Sequence, residues 1–144
     1  MRTDSIADTI GRLLTARGQT LGLAESCTGG LIGHLITEVA GSSSYFMGSA
    51  VTYAYQAKEQ LLGVAHEDII AYGVVSEPVA LAMAFGVRRV LSADIGVAVT
   101  GIAGPGGATP NKPVGLTYIA LSAPGYQICR RFVWAGDRSA NKMS

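Results

Sequence analysis

Apolar residues recur at helical spacing over several stretches of the chain. Between Ile6 and Leu14 they lie three or four positions apart, which predicts an amphipathic helix, and Gly18 is placed to end it. The Ser-Glu-Pro sequence at 76–78 combines a capping residue, an acidic residue and an early proline, so it predicts the start of a helix that continues to about Val90. Shorter helical segments are predicted at 31–39, 57–62 and 67–71.

Between these segments lie short runs rich in apolar and β-branched residues. They predict strands at 21–24, 48–55, 95–99, 114–121 and 127–134. The run 95–99 is apolar throughout, as expected of a central strand, and Ala-Pro-Gly at 123–125 predicts a hairpin between the last two strands. Strands that alternate with helices before a terminal hairpin predict one α/β domain over 1–144, an α/β/α sandwich whose mixed sheet ends in a β-hairpin.

Composition and charge narrow the class of protein. Hydrophobic residues make up 49% of the 144 residues, which suits a compact core and leaves room for an apolar interface, so a homo-oligomer, most simply a dimer, is expected. The net charge of +1 gives no electrostatic reason to expect nucleic acid or an anionic membrane as a partner. Two cysteines make no disulfide framework, and the N-terminus alternates charged and apolar residues rather than forming a secretory signal, so the cytoplasm is the expected location. The last ten residues, 135–144, are polar and expected to be poorly anchored.

Three polar or glycine-rich segments interrupt this apolar pattern, at 26–30, 41–58 and 100–107. Ser26 follows the first predicted strand and precedes two glycines and a helix, a turn that exposes a hydroxyl and directs backbone N–H groups at a ligand. A nucleophile and an oxyanion hole are one interpretation; a helix cap at Ser26 or Thr28 is the other. The loop 100–107 follows the central strand, and the loops beyond strand carboxyl ends form the ligand crevice in such sheets.

These segments and several others resemble the C-terminal amidohydrolase domain of the CinA (competence/damage-inducible) proteins, whose stand-alone members are nicotinamide-nucleotide amidases. The resemblance covers nearly the whole chain. The matching motifs are AESCTGG at 24–30, GSS at 41–43, VTY at 51–53, AK at 57–58, LLGV at 61–64, GVVSEPV at 73–79, VAVTGIAGPGG at 97–107, KPVG at 112–115 and GDR at 136–138.

The resemblance implies that Ser26 is the nucleophile and that Lys58 and Tyr53 assist it. The implied reaction is hydrolysis of the carboxamide of a small nucleotide substrate, nicotinamide mononucleotide, to nicotinic acid mononucleotide and ammonia, without a cofactor or metal. A serine needs a base, and a lysine can be that base only if burial or neighbours lower its pKa, which the apolar context 54–64 could provide. A solvated Lys58 and a Tyr53 that packs its ring in a strand remain the structural alternatives.

Oxyanion and substrate contacts are expected from the two glycine-containing segments and from one serine between them. The loop 100–107 could form an anion nest for the phosphate, with Arg138 as a possible charge partner, although a plain glycine-rich turn is also open. Cys27 could equally be a small buried residue. The residues expected to bind are Cys27, Thr28, Gly29, Gly30, Ser42, Thr100, Gly101, Gly104, Gly106 and Gly107.

Three departures from the family pattern bear on function. Tyr55 stands where many relatives have Asn, and the family's final helix after the GDR motif is expected to be missing. Full-length members carry an N-terminal nucleotide-hydrolase domain, which is not expected within these 144 residues. Two other functions therefore stay open. One is a weakly active or non-catalytic relative that binds a nucleotide or a protein, and the other is an amidase for a different small amide.

Overall fold

The computed structural model describes residues 4–144; residues 1–3, where the alternating N-terminal stretch begins, lie outside the described part. The described helices are α1 (Ile6–Arg17), α2 (Leu31–Thr37), α3 (Tyr55–Leu62), α4 (His66–Tyr72), α5 (Glu77–Val90) and α6 (Arg138–Met143), with a 3₁₀ turn at Ser42–Ser44. The strands are β1 (Leu21–Glu25), β2 (Phe46–Val51), β3 (Ile95–Gly101), β4 (Leu116–Ala123) and β5 (Tyr126–Val133).

The five strands form one mixed sheet in the order β2-β1-β3-β4-β5. The first three are parallel, and β4 and β5 form an antiparallel hairpin at one edge. The predicted α/β class, the mixed sheet, the terminal hairpin and the central position of β3 are confirmed. Because Glu25 pairs with Val99 in the parallel register, the loops that follow β1 and β3 leave the same edge of the sheet side by side.

Two apolar clusters pack on the sheet. Alternate residues of a strand face opposite sides, so Leu21 and Leu23 of β1 pack with Leu14 of α1 and Ile36 of α2, while Ala24 belongs to the cluster around α5. Helix α5 lies close against the sheet because Gly96 has no side chain: a Cβ there would lie 2.2 Å from the Ala84 carbonyl oxygen.

Helix α5 buries Val79, Met83 and Val87 against the sheet, and Ala82 is half-buried. It begins after Ser76, which is the N-cap residue as predicted, but the Ser76 side chain makes no capping hydrogen bond. Its hydroxyl donates instead to the Gly73 carbonyl oxygen (2.8 Å). The predicted end of α1 is confirmed, because Gly18 takes the left-handed conformation (φ +61°) there.

The structure corrects the predicted second strand. We expected a strand over 48–55, but β2 ends at Val51 and α3 begins at Tyr55. The last backbone bond of this stretch to the sheet runs from the Thr52 N–H to the Glu25 carbonyl oxygen (2.8 Å). Beyond it the chain turns into α3, which carries Lys58 back towards the end of β1.

The structure also corrects the expected loose tail. Residues 138–143 form α6, capped by the Asp137 side chain, which accepts from the Ala140 N–H (2.9 Å). Asn141 is buried, its amide donates to the Ala103 carbonyl oxygen (3.0 Å), and its side-chain oxygen accepts from the Gly136 N–H (2.9 Å). These bonds pin α6 against the loop after β3. Within residues 4–144, no helix has both the length and the apolar character needed to cross a bilayer.

Candidate active site

A buried serine–lysine pair lies where β1 ends. Ser26 is the first residue after the strand, and the Lys58 ammonium nitrogen lies 3.1 Å from its Oγ atom. Lys58 also donates to the Thr52 carbonyl oxygen at 2.6 Å. Only 1% of the lysine surface is exposed, so the alternative of a solvated lysine is wrong.

Burial sets the proton affinity of this lysine. Desolvation lowers the pKa of Lys58 from its usual 10.5 to about 8, and the interaction with Cys27 opposes that shift. None of the described carboxylates forms an ion pair with it. With this pKa roughly a tenth of Lys58 is neutral at pH 7 and about half at pH 8, whereas an ordinary lysine is almost fully protonated, so Lys58 can act as a general base.

The turn after β1 is held by Glu25, which the sequence analysis missed. Its fully buried carboxylate accepts hydrogen bonds from the Thr28 hydroxyl (2.7 Å), the Ser49 hydroxyl (2.8 Å) and two backbone N–H groups, of Ile32 and Gly33 (both 2.9 Å). The carboxylate thus satisfies the first free N–H groups of α2 and links β1, α2 and β2. The sequence does carry a signal for this role of Glu25, because an acidic residue stands at the end of an apolar strand and shortly before a helix.

This arrangement decides between the two interpretations of the turn. The N-cap residue of α2 is Gly30, with a φ of +102°, and no side chain caps the helix from that position. Neither Ser26 nor Thr28 is the cap, because Thr28 donates its hydroxyl to Glu25 and Ser26 faces Lys58. The Ser26 hydroxyl therefore has no capping role and is available to react with a ligand in the cleft.

Backbone donors around Ser26 are partly engaged. The Ser26 N–H donates to the Val99 carbonyl oxygen (3.1 Å), and the Gly29 N–H donates to the Ser26 carbonyl oxygen (3.0 Å). Among the described residues of the turn, the N–H groups of Cys27, Thr28 and Gly30 make no backbone hydrogen bond, so they are the candidate oxyanion donors, and those of Cys27 and Thr28 lie near the Cys27 sulfur. Cys27 itself is half-buried, and burial raises the pKa of its thiol, which keeps the sulfur protonated.

Ser26 opens into a cleft of about 450 Å³ between the loops after β1, α4 and β3. The predicted residues that line it are Ser26, Cys27, Tyr53, Thr100, Gly101, Gly104, Gly106 and Gly107. The remaining lining residues are Gly73, Val74, Val75, Ile102, Ala103, Thr109, Lys112 and Arg138. Lys112 was not singled out as a site residue from the sequence, because a single lysine in a loop has no distinguishing pattern.

Four of the expected binding residues lie outside this lining. Thr28, Gly29 and Gly30 shape the turn without lining the cleft. Ser42 lies in the 3₁₀ turn that precedes β2. Because β2 runs parallel to β1, that position is at the amino-terminal edge of the sheet, opposite Ser26, and the expectation for Ser42 is wrong.

Tyr53 lies at the mouth of the cleft rather than in a strand. Its side chain is exposed, so the alternative of a ring packed in a strand is wrong. Its hydroxyl accepts a hydrogen bond from Arg138 (2.6 Å), whose second nitrogen donates to the Gly104 carbonyl oxygen (2.8 Å). Arg138 therefore joins α6, Tyr53 and the loop after β3, a role that its position near the chain's end did not indicate.

Within residues 4–144, no group of three or more His, Cys, Asp or Glu side chains is arranged to hold a metal ion. His34 and Glu38, one helical turn apart on α2, form an exposed pair at 4.0 Å.

Curated proteins that are similar in sequence to this chain carry CinA or competence-damage names. A putative competence-damage inducible protein of Moorella thermoacetica is 49% identical over 135 residues, which is 94% of this chain and 33% of that protein. A CinA-like protein of a Nostoc species is 50% identical over 128 residues, 89% of this chain and 30% of that protein. The chain thus spans about a third of the length of these curated relatives.

Solved structures agree with the sequence relatives. The competence/damage inducible protein CihA of Agrobacterium tumefaciens superposes with a TM-score of 0.93 at 38% identity, covering 99% of this chain and 91% of that one. The competence damage-inducible protein A of Klebsiella pneumoniae gives 0.91 at 32% identity, over 94% and 84%. A family model for the CinA C-terminal domain matches residues 3–144. The chain therefore belongs to the CinA C-terminal domain family.

Proposed function

We propose that this chain is an amidase that hydrolyses the carboxamide of nicotinamide mononucleotide to nicotinic acid mononucleotide and ammonia. The observation that carries the proposal is the buried pair of Ser26 and Lys58, with 3.1 Å between Oγ and Nζ at the floor of an open cleft. A lysine that titrates at about 8, without a carboxylate partner, suits a general base better than a structural ion pair.

The proposed mechanism begins with neutral Lys58. Its amine donates one hydrogen to the Thr52 carbonyl oxygen, which leaves the lone pair free to accept the proton of the Ser26 hydroxyl. The Ser26 oxygen then attacks the amide carbon, and the negative charge moves to the amide oxygen, where the Cys27 N–H is the candidate donor. The tetrahedral intermediate collapses as protonated Lys58 transfers its proton to the amide nitrogen, so ammonia leaves and an ester with Ser26 remains.

The second half of the reaction repeats the proton transfers. Lys58, neutral again, takes a proton from a water molecule while the water oxygen attacks the ester carbon. Collapse of this intermediate returns the proton to the Ser26 oxygen and releases the carboxylic acid. Both protons pass through the Lys58 amine, which is already in contact with the Ser26 hydroxyl.

The experiment that tests the proposal measures ammonia and nicotinic acid mononucleotide released from nicotinamide mononucleotide. Wild type and Cys27→Ala should both turn over. Ser26→Ala should lose roughly a thousandfold or more in kcat, because the covalent step has no nucleophile. The Cys27→Ala variant is the matched control, since it removes the neighbouring sulfur from the same turn.

Three results would contradict the proposal. Activity that survives in Ser26→Ala but disappears in Cys27→Ala would assign the nucleophile to the sulfur. Turnover of other small amides, with none of the nucleotide, would keep the mechanism and change the substrate. If wild type releases no ammonia from any amide but still binds the nucleotide, the chain is a non-catalytic binding relative.

A further inference from the structure

The cleft beside Ser26 is lined by two cationic side chains and, within the described residues, by no carboxylate. The cations are Lys112, from the loop between β3 and β4, and Arg138, from the start of α6. We propose that Lys112 is the principal ligand of the substrate's phosphate and makes the cleft selective for amides that carry a phosphomonoester. This inference rests on the proposed function for the identity of the amide, while the anion site itself can be tested separately.

The local structure holds Lys112 in place. Its backbone forms two hydrogen bonds with Thr109, from the Thr109 N–H to the Lys112 carbonyl oxygen (2.9 Å) and in the reverse sense (3.1 Å). These bonds close a tight turn over 109–112. The side-chain nitrogen donates to the carbonyl oxygen of Tyr72, the last residue of α4. The side chain is thus tied at both ends before any ligand arrives.

Gly73 supplies the space for this ammonium group. A Cβ at residue 73 would lie 2.7 Å from the Lys112 nitrogen, and the residue has a φ of +78°, in the region that favours glycine. The side chain therefore passes directly over Gly73 at the cleft wall. An ammonium has three N–H donors, and among residues 4–144 the Lys112 nitrogen bonds only to Tyr72, so two donors remain for a ligand.

The other two cations near the cleft are already engaged. Arg138 uses one nitrogen for Gly104 and the other for Tyr53, which fixes it as a link between α6 and the loop after β3. Lys58 is buried beneath Ser26 and is assigned to proton transfer. No described carboxylate pairs with any of these three cations, but Lys112 makes the fewest side-chain hydrogen bonds of its own, a single one to Tyr72, so a dianionic phosphate would use it best.

The alternative is that Lys112 is only a tie between the loop 109–112 and α4. The two roles differ in which ligand they affect. A tie would change the cleft for every ligand, whereas a phosphate contact acts only on ligands that carry the phosphate. Nicotinamide riboside is the same amide without the phosphate and therefore separates them.

The test measures dissociation constants of nicotinamide mononucleotide and nicotinamide riboside by calorimetry. The protein carries Ser26→Ala, which prevents turnover, with and without Lys112→Met. We expect Lys112→Met to weaken mononucleotide binding roughly ten- to hundredfold and to leave riboside binding within about twofold, because one charge-assisted contact is lost. Lys112→Arg should keep most of the affinity. Arg17→Met, at the far end of α1, removes an equal charge and should change neither constant.

Equal weakening of both ligands, or no change in either, would overturn the inference. Ribose 5-phosphate provides a readout independent of the amide, since it should bind to wild type and weaken with Lys112→Met. If ribose 5-phosphate binds in this way while wild type releases no ammonia, the amidase proposal fails and the phosphate site stands. If the nucleotide is hydrolysed but Lys112→Met leaves its binding intact, the amidase proposal stands and the site at Lys112 fails.

Discussion

Replacing Lys58 by Met removes a buried ammonium while keeping a side chain of similar length in the same surroundings. Lys58 is protonated in the unfolded chain up to its usual pKa of 10.5, but burial lowers its pKa in the folded protein to about 8. Between these values the unfolded state binds more protons, so the stability of the wild type rises with pH in this window. Below it both states are protonated, and the cost of burying the charge is present in full.

The size of the effect follows from the two pKa values. A difference of about 2.5 corresponds to about 3 kcal/mol of lost stability below pH 8. From the same two pKa values, the free energy of unfolding of the wild type should rise by about 1 kcal/mol from pH 7 to pH 9. From pH 7 to pH 10 the rise should be about 2 to 3 kcal/mol. Met also leaves the Thr52 carbonyl oxygen without its donor, which costs about 1–3 kcal/mol at every pH. That constant offset does not alter the trend.

The assay is urea denaturation of wild type and Lys58→Met at several pH values between 7 and 10. We expect the free energy of unfolding of the wild type to rise relative to that of the variant as the pH rises. Lys142→Met, on α6, removes the same type of charge outside the core and should show no comparable trend. A stability difference between wild type and Lys58→Met that stays constant from pH 7 to pH 10 would contradict this prediction, because Lys58 would then titrate alike in the folded and unfolded states.

Three further predictions concern catalysis and the supports of the site. If neutral Lys58 is the base, kcat/KM for the nucleotide rises with pH and levels off above about 8; a plateau already reached at pH 6 would exclude it. Each carboxylate oxygen of Glu25 accepts a hydrogen bond from a backbone N–H of α2, so in Glu25→Gln the amide NH₂ group faces one of these donors in either orientation. We expect this variant to lower the free energy of unfolding by about 2 kcal/mol or more, whereas the exposed Glu38→Gln should leave it unchanged in the same denaturation assay. Asn141→Ala should release α6, and limited proteolysis should then cut after residue 135 faster than in wild type; an unchanged rate would mean that Asn141 does not anchor the helix.

Much of the fold could be predicted from the sequence because local patterns decide it. The apolar runs, the glycine at the end of α1 and the Ser-Glu-Pro sequence before α5 are each readable within a few residues. Where tertiary contacts compete with local preference, the predictions were wrong. The stretch 52–55 has strand-forming residues, yet the chain leaves the sheet after Val51, and the polar tail forms a helix because Asn141 reaches the loop after β3.

Some features of the candidate site can likewise be read from local sequence, and others depend on tertiary packing. The family, the order of elements and the position of Ser26 at a strand end follow from residue type and spacing along the chain. The packing of the folded chain was needed to show that Lys58 is buried in contact with Ser26 and that Glu25 rather than a hydroxyl accepts from the first N–H groups of α2. It also places Ser42 at the opposite edge of the sheet. The packing of segments that are remote in sequence sets how deeply Lys58 is buried and how far apart the side chains of the site lie. Burial in turn sets the pKa of Lys58, and distance decides which side chains can contact one another.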